Sequence, residues 1–421
     1  MVIAALVTAS IATARPASSG PTPGPTYSKL DARLLRVTES LASPVAVWVE
    51  FTDKGEQGPD DLAQRLAAAA AALTPESRRR RERARVTPLV DYLDLPVSPE
   101  YLHALEAQGF AVYGASRWFN RVAVHAAGDQ LFALAAQPFV RRLSPVELAR
   151  PREREEMLPL TGEGEGGGGA SAPGRGALPA AVQALYGQTL GQLQRLNMPA
   201  VHDSGYIGTA ISVCVLDDGF NWFRKHEALR TIPVGVGRTR DFIRGGTDVQ
   251  DTVLLAFNFV HGTATLSALA GRKSGVYLAP AYGCIVALGR TEDSGSEKPI
   301  EMVYWGMGAE WADSLGCDIL TSSLGYNLFP DSAGTDITYP MLNGHTTIVT
   351  RAAEIAAAKE RTPLQVMAEY ARSFGKPRGF AGAINGIGTR DAATLRVRHR
   401  LARKAAWKRV RKLLRKPRRI T

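Results

Sequence analysis

Three apolar runs constrain the fold of this chain more than any other feature: AISVCVLDDGF at residues 210–220, CIVALGR at 284–290 and CDILTSSLG at 317–325. A strand covered on both faces has no need of polar alternation, so central strands of parallel sheets read as continuous apolar runs. Between the second and third runs, KPIEMVYWGMGAEWADSLG has apolar residues at helical spacing and ends in Gly, a residue suited to stopping a helix. Neighbouring parallel strands need a long crossover, usually helical. The pattern therefore predicts an α/β domain with a mostly parallel sheet and helices on both faces. Functional groups on such sheets collect at the carboxyl ends of the strands. There the first run closes on Asp217 and Asp218.

The N-terminal half has a different rhythm. VAVWVEF (45–51) reads as a strand, and DDLAQRLAAAAAAL (60–73) is strongly helix-forming. A Pro-initiated helix PEYLHALEAQG, strands FAVYG and NRVAVHA, a helix GDQLFALAAQ and a strand FVRRLSPV follow. This is the split βαβ pattern of an α+β ferredoxin-like domain, assigned to residues 41–149, and no constellation of chemistry lies in it. Ahead of it, MVIAALVTASIATA (1–14) reads as a secretory signal and residues 15–40 as a flexible leader. GEGEGGGGASAPGRG marks residues 150–182 as a linker. The second domain then spans 183–360, and a basic tail 361–421.

The net charge of +11 belongs to that tail. From Asp391 onward there are thirteen Lys or Arg against one acid, which leaves the body of the chain near neutral. No stretch reaches the eighteen or so apolar residues of a membrane helix. Cys214, Cys284 and Cys317 are an odd set without CxxC spacing. They read as buried free thiols, with neither a disulfide framework nor a metal site indicated, and no cofactor motif is identified.

The stretch HGTATLSALAG opens on His261, forty-four residues after Asp217. An Asp at a strand end can accept a hydrogen bond from one imidazole nitrogen and fix the tautomer, so that the other nitrogen takes a proton from a hydroxyl. Gly262 reads as leaving room for substrate, and Thr263 as a local hydrogen bonder. VLDDGF, HGTATLSALAG and DILTSSLG, in this order, resemble the aspartate, histidine and substrate-strand motifs of the subtilisin-like serine peptidases, the subtilases. The likeness covers roughly residues 186–360. It implies a subtilisin-like sheet, incomplete here, with Asp217 as orienting acid, His261 as general base and polypeptides as substrates. Asp218 stands where the family usually has a small residue and is a lesser candidate. Ser323, Leu324 and Gly325 match the strand on which a substrate peptide pairs. The first domain is similar to a subtilase prodomain, which chaperones folding, blocks the cleft as an intramolecular inhibitor and is cut away, here in the Gly-rich linker. His226 is taken as structural, and Asn343 with His345 as a turn. No acidic loop assigns calcium ligands.

Two family elements are missing. No Ser beyond His261 follows Gly-Thr, and the Gly-Thr pairs at 334 and 388 continue with Asp336 and Arg390. Asn385 in AINGIG echoes the oxyanion motif, yet no apolar strand precedes it. TTIVTRAAEIAAAKE (346–360) reads as a helix, after which the apolar pattern stops. Three readings stay open: a shift of reading frame near Glu360, which we favour; a pseudoenzyme; or a genuine basic tail that binds nucleic acid or anionic lipid. The tail's charges lie on every face, which argues against the last. Translating the other two frames of the coding DNA beyond codon 360 should give a Gly-Asn turn and a Gly-Thr-Ser motif. Their absence from both frames removes the frameshift reading.

Overall fold

The computed structural model describes residues 28–37, 44–146, 180–250, 261–293, 299–326, 337, 341–344 and 346–360. The first domain runs α1 (Ala32–Val37), β1 (Val45–Phe51), α2 (Pro59–Ala71), α3 (Pro75–Arg83), α4 (Pro99–Ala107), β2 (Val112–Ser116), β3 (Arg121–Ala126), α5 (Gly128–Ala136) and β4 (Val140–Pro145). Its strands pair antiparallel in the order β2-β3-β1-β4. This is the ferredoxin-like arrangement that the element order predicts.

VAVWVEF is apolar at both sets of alternating positions because both faces of β1 are covered. Val47, Val49 and Phe51 join Leu105 of α4 and Leu131 and Leu134 of α5 in one core. Ala46 and Trp48 face the other way, onto Val303 of the second domain. Leu30 and Leu34, inside the segment assigned to a flexible leader, are buried in the first core. The Asp31 N–H donates to the Leu143 carbonyl at 2.9 Å, so ordered structure begins ahead of residue 41. The signal segment, residues 147–179 of the linker region and the basic tail with Asn385 lie outside the described residues.

The second domain runs α6 (Ala180–Tyr186), α7 (Leu190–Arg195), α8 (Met198–Asp203), β5 (Ser212–Asp217), β6 (Val234–Asp241) and α9 (His261–Ala270). A short ribbon of β7 (Arg272–Lys273) and β8 (Tyr277–Leu278) leads to β9 (Ile285–Arg290), α10 (Glu301–Leu315), β10 (Ile319–Ser322) and α11 (Ile348–Glu360). The main sheet is β10-β5-β9-β6, parallel throughout. The three apolar runs are β5, β9 and β10, and every residue of β5 is buried. α10 stops at Gly316, whose φ of 74° is the left-handed conformation that the terminal Gly foretold.

Helices cover both faces. Leu266 and Ala270 of α9 pack with Val213, Val215, Val286 and Leu288 on one side. Trp305, Ala309 and Ala312 of α10, with Ala352 and Ala356 of α11, pack with Cys214, Leu216 and Ala287 on the other. Cys214, Cys284 and Cys317 are free and buried. Asp217, Asp241, Arg290 and Ser322 close the four parallel strands at one edge.

The two domains are joined by charge as well as by Trp48. α3, sequence PESRRRRER, is capped by Thr74, which accepts the Ser77 N–H at 3.1 Å. Its buried Arg80 and Arg81 both pair with Asp313 of α10, Arg81 at 2.8 Å. Arg117 reaches the same carboxylate at 3.2 Å. Glu310, one turn earlier, accepts from Ser116 Oγ at 2.5 Å and from the Arg117 and Trp118 N–H groups at 3.0 and 3.3 Å. Burial pushes the Glu310 carboxyl up, against the lowering effect of Ser116 and Arg117. Burial would likewise raise Asp94, yet Arg81 and Lys359 of α11 hold it well below the usual carboxylate range. Removing one partner from such a network strands buried charge and costs about 3–5 kcal/mol. Asp313→Ala should destabilise the chain by that amount in urea unfolding, whereas Arg79→Ala, which breaks only the solvent-exposed pair with Glu76, should leave the midpoint in place.

Candidate active site

Asp217 is the last residue of β5 and is fully buried. A buried carboxylate needs several donors, and it has three. His261 Nδ1 lies 2.7 Å from Oδ1, and the Asp218 N–H donates to the same oxygen at 2.9 Å. Thr265 Oγ1 donates to Oδ2 at 2.9 Å. The His261 side chain is 42% exposed. One edge of the imidazole is thus fixed on a buried acid, while the side chain stays partly exposed.

Helical periodicity accounts for the Thr265 bond. Positions i and i+4 share a helix face, so His261 and Thr265 address Asp217 together. The spacing was present in HGTAT, and sequence reasoning missed it by treating only Thr263 as a hydrogen bonder. Thr263 Oγ1 does bond locally, to the Asn221 carbonyl at 2.8 Å.

Gly262 has a different reason from the one the sequence offered. A Cβ there would stand 2.2 Å from the Gly219 carbonyl oxygen and 2.9 Å from Asp217 Cβ. The space is taken by the strand-end loop, not held for substrate, and the absent side chain is what lets α9 approach β5. Gly219 itself has φ 144°, a value open to Gly alone without strain.

Asp218 is only 6% exposed and accepts the Gly262 N–H at 2.8 Å. Burial, with the neighbouring Asp217 charge, pushes its carboxyl up to about 7. Ligand atoms of Asp217, Asp218 and His261 lie within 4.8 Å of one another, a spacing that could hold a cation. Both Asp217 oxygens and one Asp218 oxygen already have described hydrogen-bond partners, and no metal is assigned.

The remaining predicted residues lie apart from this cluster or beside it. Ser322 pairs with Leu216 across β10 and β5, which brings Ser323 out level with Asp217. Ser323 and Leu324 are half-buried and Gly325 is exposed. His226 is exposed and accepts the Ala228 N–H at 3.3 Å, a local turn contact. Asn343 accepts the Thr346 N–H at 3.1 Å beside Gly344 at φ 89°, the turn expected there. Of the five described serines beyond His261, three are engaged elsewhere: Ser267 Oγ donates to Ala264 O, Ser314 Oγ to Trp311 O, and Ser322 Oγ accepts from Trp305 Nε1.

An Asp at a strand end followed by a His at a helix start, on a parallel α/β sheet, is the order of the subtilisin arrangement. The domain in front of it carries the family evidence. Residues 46–158 match the family model of the peptidase S8 propeptide domain, Bacteroidota, so the first domain is similar to the propeptide of subtilisin-like peptidases. Among solved structures, the epidermin leader peptide processing serine protease of Staphylococcus aureus is similar at 9% identity and TM-score 0.42, over 76% of this chain and 57% of that one. Fervidolysin from Fervidobacterium pennivorans, a keratinolytic enzyme related to subtilisin, is similar at 14% identity and TM-score 0.39, over 75% of this chain and 39% of its own. The chain thus spans well under two thirds of these proteins' lengths. No curated protein matches it in sequence.

The Gly262 geometry is directly testable. Gly262→Ala forces overpacking of the kind that costs about 1–3 kcal/mol, and should lower the melting temperature and move the His261 ring resonances. Wild-type stability and spectra in this variant would show that the close approach of α9 to Gly219 is not required.

Proposed function

We propose that the chain is a form of a secreted subtilisin-like serine endopeptidase precursor, in which Asp217 orients His261 as general base for peptide-bond hydrolysis. The observation that carries this reading is the 2.7 Å contact between His261 Nδ1 and the buried Asp217 carboxylate. That contact orients the ring so that Nε2 is the nitrogen that would take a hydroxyl proton. The propeptide match supports a precursor whose own first domain is its inhibitor. The apolar N-terminal stretch supports secretion, and among the described residues no helix is long and apolar enough to cross a membrane. Ser323, Leu324 and Gly325 are the segment on which a substrate peptide would pair.

The 421 residues contain no Ser in a Gly-Thr-Ser motif. A base without its nucleophile cannot form an acyl-enzyme, and a complete triad contributes about a millionfold to turnover. A missing oxyanion Asn removes a further factor of about 10²–10³. On this reading the chain as written does not turn over peptides. One observation favours a second reading, a catalytically dead peptide-binding or inhibitory module: β10 is an edge of the described sheet, with one side paired to β5 and the other unpaired by any described strand. Strand addition there needs no nucleophile. The basic tail offers nothing comparable for nucleic acid.

Purified full-length chain should show no casein hydrolysis above buffer and no labelling by a serine-directed phosphonate. Labelling of any serine overturns the inactive reading and identifies the nucleophile by mass spectrometry. Binding of an extended peptide without cleavage would select the second reading over the first.

A further inference from the structure

The mechanism so far has no task for Asp218, although it is a buried carboxylate at the centre of the site. It is held at three points. Its N–H donates to Asp217 Oδ1 at 2.9 Å, its carbonyl accepts from Arg290 Nε at 3.0 Å, and its carboxylate accepts the Gly262 N–H at 2.8 Å. The last bond ties β5 to the first turn of α9, the turn that begins with His261. With 6% of the residue exposed, the carboxylate cannot be presented to a ligand from outside. The group it serves is inside the protein.

We propose that Asp218 is a positioning residue for His261: it pins the first turn of α9 through the Gly262 N–H and, in its ionised form, supplies a second negative charge to the field in which the imidazole takes up its proton. The bond satisfies one of the N–H groups that every helix leaves unpaired in its first turn, and a carboxylate there is favoured by the helix dipole. Without it, the described hydrogen bonds from α9 to the end of β5 would be those of His261 and Thr265 to Asp217, and those depend on the helix already standing at the right height.

Among the described residues, the charged groups around Asp218 are Asp217 beside it, His261 on α9, and Arg290 on β9, whose guanidinium pairs with Asp241 at 3.2 Å. Burial and the Asp217 charge oppose its ionisation, and its carboxyl is pushed up to about 7. An Asp side chain in such a place costs folded-state stability in order to hold the imidazole, a trade common at functional sites.

The inference rests on Asp217 and His261 acting as a pair, and its test needs no hydrolysis. The His261 ring is followed by NMR through a pH titration of histidine-labelled full-length chain, assigned among the seven histidines with His261→Gln. Asp218→Asn keeps an oxygen for the Gly262 N–H and removes the charge. It should lower the His261 midpoint by about half a unit or more and preserve amide protection at Gly262. Asp218→Ala removes both, and Gly262 exchange should accelerate by about tenfold or more. An unchanged midpoint in Asp218→Asn, or unchanged Gly262 exchange in a folded Asp218→Ala, overturns the proposal; if Asp218→Ala does not fold, the Asn variant decides alone. Asp217→Asn tests the pair itself: a His261 midpoint that ignores it sinks the acid–base reading, whereas a midpoint that responds to Asp217 but not to Asp218 sinks only this inference.

Discussion

α10 is the helix on which both domains depend, because each must bury a face against it. A helix apolar around most of its circumference belongs in an interior, and EMVYWGMGAEWADSL finds one between two sheets. Trp305, Ala309 and Ala312 cover the parallel sheet, while Val303 and Met307 meet Trp48 and its neighbours on the propeptide sheet. Gly308 makes the first contact close: a Cβ there would lie 2.8 Å from Leu216, the β5 residue next to Asp217. Glu310 and Asp313 then give the same helix a polar end that, among the described residues, donors of the first domain satisfy. Those acids are buried at 7% and 3% exposure, so leaving them without Arg80, Arg81 and Arg117 would be costly. The arginines of the propeptide answer a need created by the second domain.

The candidate site shows the same economy at smaller scale. Asp217 is a charge in a closed environment, tolerable because three donors meet it, and those donors come from two adjacent elements. Asp218 contributes its N–H from the strand end, while His261 and Thr265 contribute from one face of α9. Gly262 allows the helix to come close enough for those bonds to form. Satisfying the buried acid and orienting the exposed base are therefore one structural act, and a change at any of these positions disturbs both.

Much of this was legible in the chain itself. Continuous apolar runs gave β5, β9 and β10, because burial on both faces erases alternation, and Gly316 ended α10 as a residue free to take positive φ. The Asp217 and His261 pairing followed from order and residue type. β6 was invisible for the opposite reason: VGVGRTRD is an edge of the described sheet, with exposed positions, an interior Gly-rich half and a register shift between Val234 and Thr239. α3 was hidden because a run of arginines reads as a solvated surface, and nothing local reveals that Arg80 and Arg81 are buried by Asp313, more than two hundred residues away. Thr265 and the true role of Gly262 depend on the distance between helix and strand, which no single motif encodes. Leu30 and Leu34 were obscured by the Pro- and Ser-rich composition around them.

The sheet raises a problem that the propeptide helps to solve. The four described parallel strands form a small central layer, and the face under α10 also needs α11, which packs along α10 through Ala352 and Ala356. α11 is the last described element. Its position is fixed by more than apolar contact, since Lys359 near its end reaches Asp94 at 2.8 Å and Asp91 at 3.3 Å, both in the propeptide. Asp94 is in turn paired with Arg81, and Arg81 with Asp313. The chain of charges thus runs from α11 through the propeptide and back to α10, closing a loop around the cover of the sheet. A propeptide bound in this way does more than occupy one surface of the second domain. It holds together the two helices that bury Cys214 and Leu216 of β5, and through β5 it supports the strand end where Asp217 meets His261.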